Sequence, residues 1–185
     1  MAHLHNVVAI VGSLRKESFT LKIAKALAKL APDNLKLDVV TLHDISFFNQ
    51  DLEAAPPADW LAFREKLQKS NGVLFVTPEY NRSMPAVLKN ALDVGSRPYG
   101  SSVWDRKPGA VVSGSPGAIG GFGANHHLRQ SLVFLNVPTM QQPEAYVSHV
   151  DKLFDEHGKL VGDGTRKFLQ AFMQAFAHRV ETIRS

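Results

Sequence analysis

The sequence predicts an α/β protein, a doubly wound parallel sheet of five strands with helices on both faces. Three observations carry that prediction. Val7-Val8-Ala9-Ile10-Val11, Val73-Leu74-Phe75-Val76 and Ala110-Val111-Val112 are unbroken apolar runs of strand length, and a strand without polar alternation is covered on both sides. Amphipathic stretches of helix length lie between the runs, and such alternation produces parallel sheets. Each run then breaks at a loop rich in Gly, Pro, Ser or Thr.

The first strand, residues 7–11, ends at Gly12-Ser13. Over residues 18–31, Ile23, Leu27 and Leu30 follow i, i+4, i+7 spacing beside Ala24, Ala28 and Ala31, a helix that Pro32 stops. Leu35, Leu37 and Val39 alternate with polar residues up to Leu42, as in an outer strand packed mainly on one face. Residues 43–57 read as loop, and a helix carrying Leu61, Phe63 and Leu67 is expected over 58–70. The strand at 73–76 breaks at Thr77-Pro78, after which Ser83 as N-cap and Pro85 in the first turn start a helix that runs to Val94. Residues 97–108 are turn-rich. The strand at 110–112 leads through the glycine-rich stretch 113–123 to a helix over 124–135 and a short strand near 138–141. A last helix, 165–182, carries Phe168, Leu169, Phe172 and Phe176 at helical spacing as a packing face. No repeat, low-complexity tract or linker interrupts the chain, so residues 1–185 are expected to form one domain.

The 185 residues carry a formal charge of +4, a hydrophobic fraction of 44% and no cysteine. This is globular composition. Lack of thiols excludes disulfide stapling, thiol catalysis, Fe–S clusters and Cys-ligated zinc, so any redox chemistry must run on a bound cofactor. Basic residues are dispersed, with no run longer than a pair such as Arg15-Lys16 or Arg106-Lys107 and no interleaved aromatics, and nucleic acid is not an expected partner. No apolar run approaches the ~20 residues of a spanning helix, and residues 1–6 lack a basic leader. A cytoplasmic protein without stable membrane association is expected. His126 and His127 point in different directions on a helix and have no carboxylate three or four residues away, so they read as structural or interface residues and no metal site is expected. His3 and His5 fall in a terminus expected to fray.

In doubly wound folds ligands bind beyond the carboxyl ends of the strands, which directs attention to the loops after the first, third and fourth. Gly12-Ser13-Leu14-Arg15-Lys16-Glu17-Ser18-Phe19-Thr20 combines three hydroxyls, an arginine and backbone N–H groups at a helix start. Helix N-termini and arginines both favour anions, so this loop suits a terminal phosphate, with Ser18 also suited to capping. It lacks GxxxxGK[ST] and GxGxxG, and one monophosphate group fits better than a triphosphate or a dinucleotide. Thr77-Pro78-Glu79-Tyr80-Asn81-Arg82-Ser83-Met84-Pro85 is held stiff by two prolines and offers the rigid polar wall that a flat heterocycle needs. Residues 113–123 contain five glycines in eleven positions, which lets backbone approach a ligand closely.

Gly12-Ser13-Leu14-Arg15-Lys16-Glu17-Ser18, Pro78-Glu79-Tyr80-Asn81-Arg82-Ser83, Leu88-Lys89-Asn90-Ala91-Leu92-Asp93 and Ser115-Pro116-Gly117-Ala118-Ile119-Gly120-Gly121 occur in this order and separation. Together they resemble the NADPH-dependent FMN reductase family over residues 7–146, in particular its bacterial quinone and chromate reductase branch. The resemblance implies a flavodoxin-like fold with strand order 2-1-3-4-5, bound FMN, and a homodimer or homotetramer with the flavin near a subunit interface. Carried over by position, Ser13, Arg15, Ser18, Phe19 and Thr20 hold the FMN phosphate. Pro78, Glu79, Tyr80 and Asn81 line the flavin ring, while Ser113, Gly114, Ser115 and Gly117 approach the ring or ribityl chain from the other side. Thr20 stands where the family commonly has Asn. Glu144 matches a tetramer-contact position whose usual arginine and tyrosine partners are replaced by Gly123 and His126.

The resemblance further implies hydride transfer from NADPH or NADH through FMN to a quinone, with chromate or azo dyes as further acceptors. No acid, base or metal is assigned, because the cofactor carries the chemistry. Asn81, Arg82 and Arg97 are assigned to substrate, either an anionic acceptor or the NADPH phosphate. For the two arginines a surface or interface ion pair is the competing role. A non-enzymatic electron carrier of the flavodoxin type would share fold and cofactor, but such carriers tend to be acidic, unlike this chain. A flavin-binding module without turnover is the third reading.

Overall fold

The three apolar runs lie side by side at the centre of a five-stranded parallel sheet. The computed structural model describes residues 4–184. In chain order they form β1 (His5–Val11), α1 (Phe19–Leu30), β2 (Leu35–Thr41), a 3₁₀ turn at Gln50–Leu52, α2 (Ala58–Gln68), β3 (Gly72–Thr77), α3 (Ala86–Ser96), β4 (Gly109–Gly114), α4 (Phe122–Phe134), β5 (Ala145–Val147), a second 3₁₀ turn at Val150–Lys152, and α5 (Asp163–Arg184). The strand order is β2-β1-β3-β4-β5, every pairing parallel. Ile10 is in register with Phe75, and Phe75 with Val111.

Because side chains alternate across a strand, β1 feeds two cores at once. Val7, Ala9 and Val11 join Ile23 and Leu27 of α1 and Phe172 and Phe176 of α5. Val8 and Ile10 join Trp60 and Phe63 of α2, Leu88 of α3, Leu128 of α4 and Trp104. Every residue of β3 and β4 is buried, whereas edge strand β2 alternates, as its sequence pattern requires. α1 is the helix expected: Ser18 in extended conformation caps it by accepting from Leu21 N–H at 3.1 Å, and it ends at Ala31 before Pro32.

Five expectations need correction. His5 opens β1 and does not fray: its N–H donates to Asn34 O at 2.9 Å, its Cα pairs with Leu35, and its side chain is buried. His3 lies outside the described residues. Ser83 does not cap α3; the cap position is Pro85, and the Ser83 hydroxyl instead meets His127 Nδ1 at 2.6 Å. The fifth strand is not at 138–141, where Thr139 makes only an isolated bridge to Gly109. Pro138 lacks an N–H for a ladder and the Met140 carbonyl is taken by Arg129, so pairing to β4 passes to β5. The 113–123 loop is shorter than expected, since Ser113 and Gly114 belong to β4 and α4 starts at Phe122. Finally, the packing face of α5 is Leu169, Phe172, Met173, Phe176 and Val180, with Phe168 left 38% exposed.

Two predictions follow from the packing. A Cβ on Gly95 would stand 2.5 Å from the indole of Trp104, which is fully buried and donates from Nε1 to Leu92 O at 2.9 Å. Gly95→Ala gains at most about 1 kcal/mol of helix propensity, less than the ~1–3 kcal/mol typical of overpacking a core, so urea unfolding should show a net loss of stability. Tyr146 on β5 is pushed up from 10.0 to about 12, first by burial and then by its hydrogen bond to Glu144. The fold therefore favours the neutral phenol; that stability is complete below pH 10 and is lost as pH rises towards 12. Tyr146→Phe should flatten the fall in unfolding free energy measured across that interval.

Candidate functional site

Parallel pairing brings the ends of β1, β3 and β4 to one edge of the sheet, and the loops that follow them meet there. A narrow cleft of about 100 Å3 is lined by Ser13, Arg15, Ser18, Phe19 and Thr20 from the first loop, Pro78, Glu79 and Tyr80 from the second, and Gly114, Ser115 and Pro116 from the third. Residues as far apart in the chain as Ser13 and Pro116 thus share one concavity. A wider cavity of about 670 Å3 lies between α1 and residues 156–166, but it collects neither the second nor the third loop.

The hydroxyls of Ser13, Ser18 and Thr20 belong to buried side chains. Ser18 Oγ and Thr20 Oγ1 are 2.9 Å apart, and Ser13 Oγ accepts from the Arg15 N–H at 3.3 Å. The N–H groups of Phe19 and Thr20 open α1, where a helix supplies no internal acceptor. No acidic residue lies in that first turn, so the positive end of the helix dipole is not offset. Arg15 is exposed, its guanidinium carbon 6.0 Å from the Phe19 ring centroid, which leaves its donors available. Hydroxyls, helix N–H groups and an arginine converging in one cleft form the donor set of a phosphate site.

The second loop is more contorted than a simple strand-to-helix turn. Tyr80 and Ser83 exchange backbone hydrogen bonds at 3.0 and 2.9 Å, and between them Asn81 and Arg82 take left-handed backbone with φ of 50° and 64°. Tyr80 and Asn81 are exposed beside the cleft. Arg82 Nη1 donates to Glu79 Oε1 at 2.8 Å. Arg97 is not at the cleft: Nε and Nη2 grip Glu53 at 2.6 and 3.0 Å. This forked hydrogen bond holds the Glu53 carboxyl below its usual range and raises Arg97.

The third loop is held from outside. Ser148 Oγ donates to Ala118 O at 2.6 Å, and His149 Nδ1 lies 3.2 Å from Pro116 O. Gly120 has φ +58°, and a Cβ there would come within 2.6 Å of the Tyr146 backbone, so this glycine is demanded by close approach. Gly117, whose N–H donates to Ser115 Oγ at 3.1 Å, lies at the exposed tip outside the cleft lining. Ser113 is fully buried, and its hydroxyl accepts from Asn125 Nδ2 at 3.2 Å.

Asn125 is a residue that sequence reasoning missed. Its buried amide also reaches Ala145 O at 3.4 Å and accepts from Arg129 Nε at 2.8 Å, tying β4, β5 and α4 together beneath the third loop. The available signal was an amide on the otherwise apolar inner face of a helix, beside Ala124, Leu128 and Leu132. His126 Nε2 lies 2.8 Å from the Tyr146 hydroxyl, with its ring packed on Phe122, and His127 Nδ1 lies 2.6 Å from Ser83 Oγ.

Known proteins resemble this chain in sequence and in fold. The family model described as NADPH-dependent FMN reductase matches residues 5–152. A quinone reductase of Pseudomonas putida is 58% identical over 186 aligned positions, with 100% of both chains covered. A 2-hydroxy-1,4-benzoquinone reductase of a Burkholderia species is 46% identical, covering 92% of this chain and 93% of its own. Among solved structures, the flavoenzyme NAD(P)H:(acceptor) oxidoreductase FerB of Paracoccus denitrificans superposes with a TM-score of 0.91 at 38% identity, over 97% of this chain and 98% of that one. The β1, β3 and β4 loops that build the cleft all fall within the matched span, and the chain belongs to the NADPH-dependent FMN reductase family.

Proposed function

We propose that the protein is an FMN-dependent NAD(P)H oxidoreductase that delivers reducing equivalents to quinones. The observation that carries this reading is the single cleft in which the hydroxyls and helix start of the first loop meet the walls of the second and third. FMN supplies the hydride chemistry when bound, taking hydride from a reduced nicotinamide and giving it to an acceptor. Ser13, Ser18, Thr20, the first N–H groups of α1 and Arg15 would hold its phosphate. Thr20 contributes a hydroxyl where the family commonly has an amide, and its pairing with Ser18 orients it. Pro78, Glu79, Tyr80 and Asn81 would bound the ring on one side, with Gly114 and Ser115 on the other. Ser113 and Gly117 would act from behind, by bracing the loop and by leaving its tip open.

Asn81 and Arg82 would meet the second substrate, because both are exposed at the outer rim. Arg82 has one nitrogen engaged with Glu79 and its side chain is 73% exposed, so a quinone oxygen, an oxyanion or the NADPH phosphate can reach it. Arg97 is committed to Glu53 through two donors, which supports the ion-pair role weighed for it rather than an acceptor contact. Chromate or azo dyes would enter by the same rim. We further read residues 1–185 as one domain that works in the cytoplasm, as a homodimer or homotetramer. Support for assembly comes from Val133 and Phe134 on α4, 78% and 90% exposed, and from Tyr99 at 91%. Among the described residues no helix is long and apolar enough to cross a membrane.

The deciding experiment is an absorption spectrum of the purified protein under anaerobic conditions, followed by NADPH and then a benzoquinone. Flavin absorbance that bleaches with NADPH and returns with the quinone is expected; colourless protein that cannot be loaded with FMN would sink the reading. Bleaching by dithionite but not by NADPH would instead identify an electron carrier. Arg15→Ala should weaken FMN binding by ~1.5–3 kcal/mol, the usual worth of a hydrogen bond to a charged group. Titration of apo-protein with FMN measures it, and unchanged affinity would remove Arg15 from the phosphate site.

A further inference from the structure

The 77–85 loop is fastened to α4 by contacts that phosphate and ring binding leave unexplained. Glu79 Oε2 accepts from the Ala124 N–H at 3.1 Å, one of the first-turn donors that α4 cannot satisfy internally. α4 has no side-chain cap of its own, because Gly121 occupies the cap position. A carboxylate from another loop fills that role, and the helix dipole favours a negative charge there. The Glu79 side chain is 10% exposed against 73% for Arg82, so the carboxylate is the inner member of their pair.

Gly123 makes the approach feasible. A Cβ at that position would stand 2.9 Å from Arg82 O and 3.0 Å from Glu79 Oε2. One helical turn further on, Ser83 Oγ meets His127 Nδ1 at 2.6 Å. Between these two attachments lie Asn81 and Arg82, both in left-handed backbone. The paired Tyr80–Ser83 backbone bonds close this two-residue turn, in which Asn readily takes left-handed backbone, and the two attachments to α4 hold the turn in place.

We propose that Glu79 is a positioning residue: its carboxylate, seated on the Ala124 N–H beside Gly123, locks the 77–85 loop to α4 and sets how Pro78 and Tyr80 face the cleft. The inference rests on the flavin reading of that cleft and deepens it. Glu79 acts on the bound ring through the loop it anchors. Gly123 is the steric partner of the lock, and Arg82 is its dispensable outer member.

Four variants separate these roles. Glu79→Ala removes the acceptor, Glu79→Gln keeps an oxygen for the Ala124 N–H, Gly123→Ala leaves the carboxylate but displaces it, and Arg82→Ala removes only the outer partner. Three readouts apply: FMN affinity of the apo-protein by flavin fluorescence, visible circular dichroism of the bound flavin, and hydrogen exchange of the apo-protein over 79–84 and 122–126. Glu79→Ala and Gly123→Ala should each weaken FMN about tenfold, change the flavin dichroism and speed exchange in both segments. Their double variant should be little worse than either, since both break one device. Glu79→Gln and Arg82→Ala each keep an oxygen on the Ala124 N–H, so exchange over 79–84 and 122–126 should stay within about threefold of the parent protein. Should Glu79→Ala not fold, Glu79→Asp, which keeps the charge but falls short of Ala124, carries the same expectation. Parent-like exchange and dichroism in Glu79→Ala, or in Glu79→Asp in its place, would overturn the proposal. If the parent protein itself takes up no FMN, the flavin reading fails, while the exchange comparison still decides whether the lock exists.

Discussion

The need to cover both faces of three adjacent apolar strands governs the rest of the molecule. Apart from His5, Asn6, Thr77 and Ser113 near their ends, β1, β3 and β4 present only apolar residues to either side, and each large side chain left in water would forfeit about 1.5–3 kcal/mol. Two helical layers are therefore obligatory, α1 and α5 on one face and α2, α3 and α4 on the other. Parallel pairing with covering helices puts every strand-to-helix loop at the same edge. The cleft is thus a by-product of the core, since burying the strands gathers residues 13–20, 78–80 and 114–116 into one place.

Polar groups at that edge are kept in order by local pairing. Ser18 both caps α1 and meets Thr20, so a single hydroxyl starts the helix and shapes the first-loop end of the cleft. The third loop depends on Asn125 below and on Ser148 and His149 outside. A buried amide deprived of partners costs about 1–3 kcal/mol, which makes the Asn125 network a rigid floor. The three loops are braced separately, by a helix cap, by a contact to a neighbouring helix and by a buried amide, and this allows a cleft built from short segments to keep its shape.

Much of this was legible in the chain. Apolar runs, helical spacing and the Ser18 cap marked the elements, and the motifs around Arg15, Pro78 and Gly117 marked the loops. The fifth strand lies at 145–147 rather than 138–141, because Pro138 has no N–H for a ladder and Arg129 takes the Met140 carbonyl. Ser83 looked like a helix cap and serves as a partner for His127, since Ser-x-Pro satisfies either role until α4 is packed alongside. Arg97 looked available for substrate until the fold delivered Glu53 to it.

What the sequence determined by itself was the class of fold, the loops that matter and the family to which the chain belongs. Those follow from periodicity and from motifs a few residues long, which need no knowledge of distant contacts. Only the tertiary structure decided which way the polar side chains turn. Glu79 reaches Ala124 forty-five positions away, Asn125 spans two strands, and Arg82 and Arg97 differ in how far their donors are committed. A charged or amide side chain takes its partner from whatever the packed core brings within about 3 Å, and that proximity is set by the sheet rather than by the neighbouring residues in the chain.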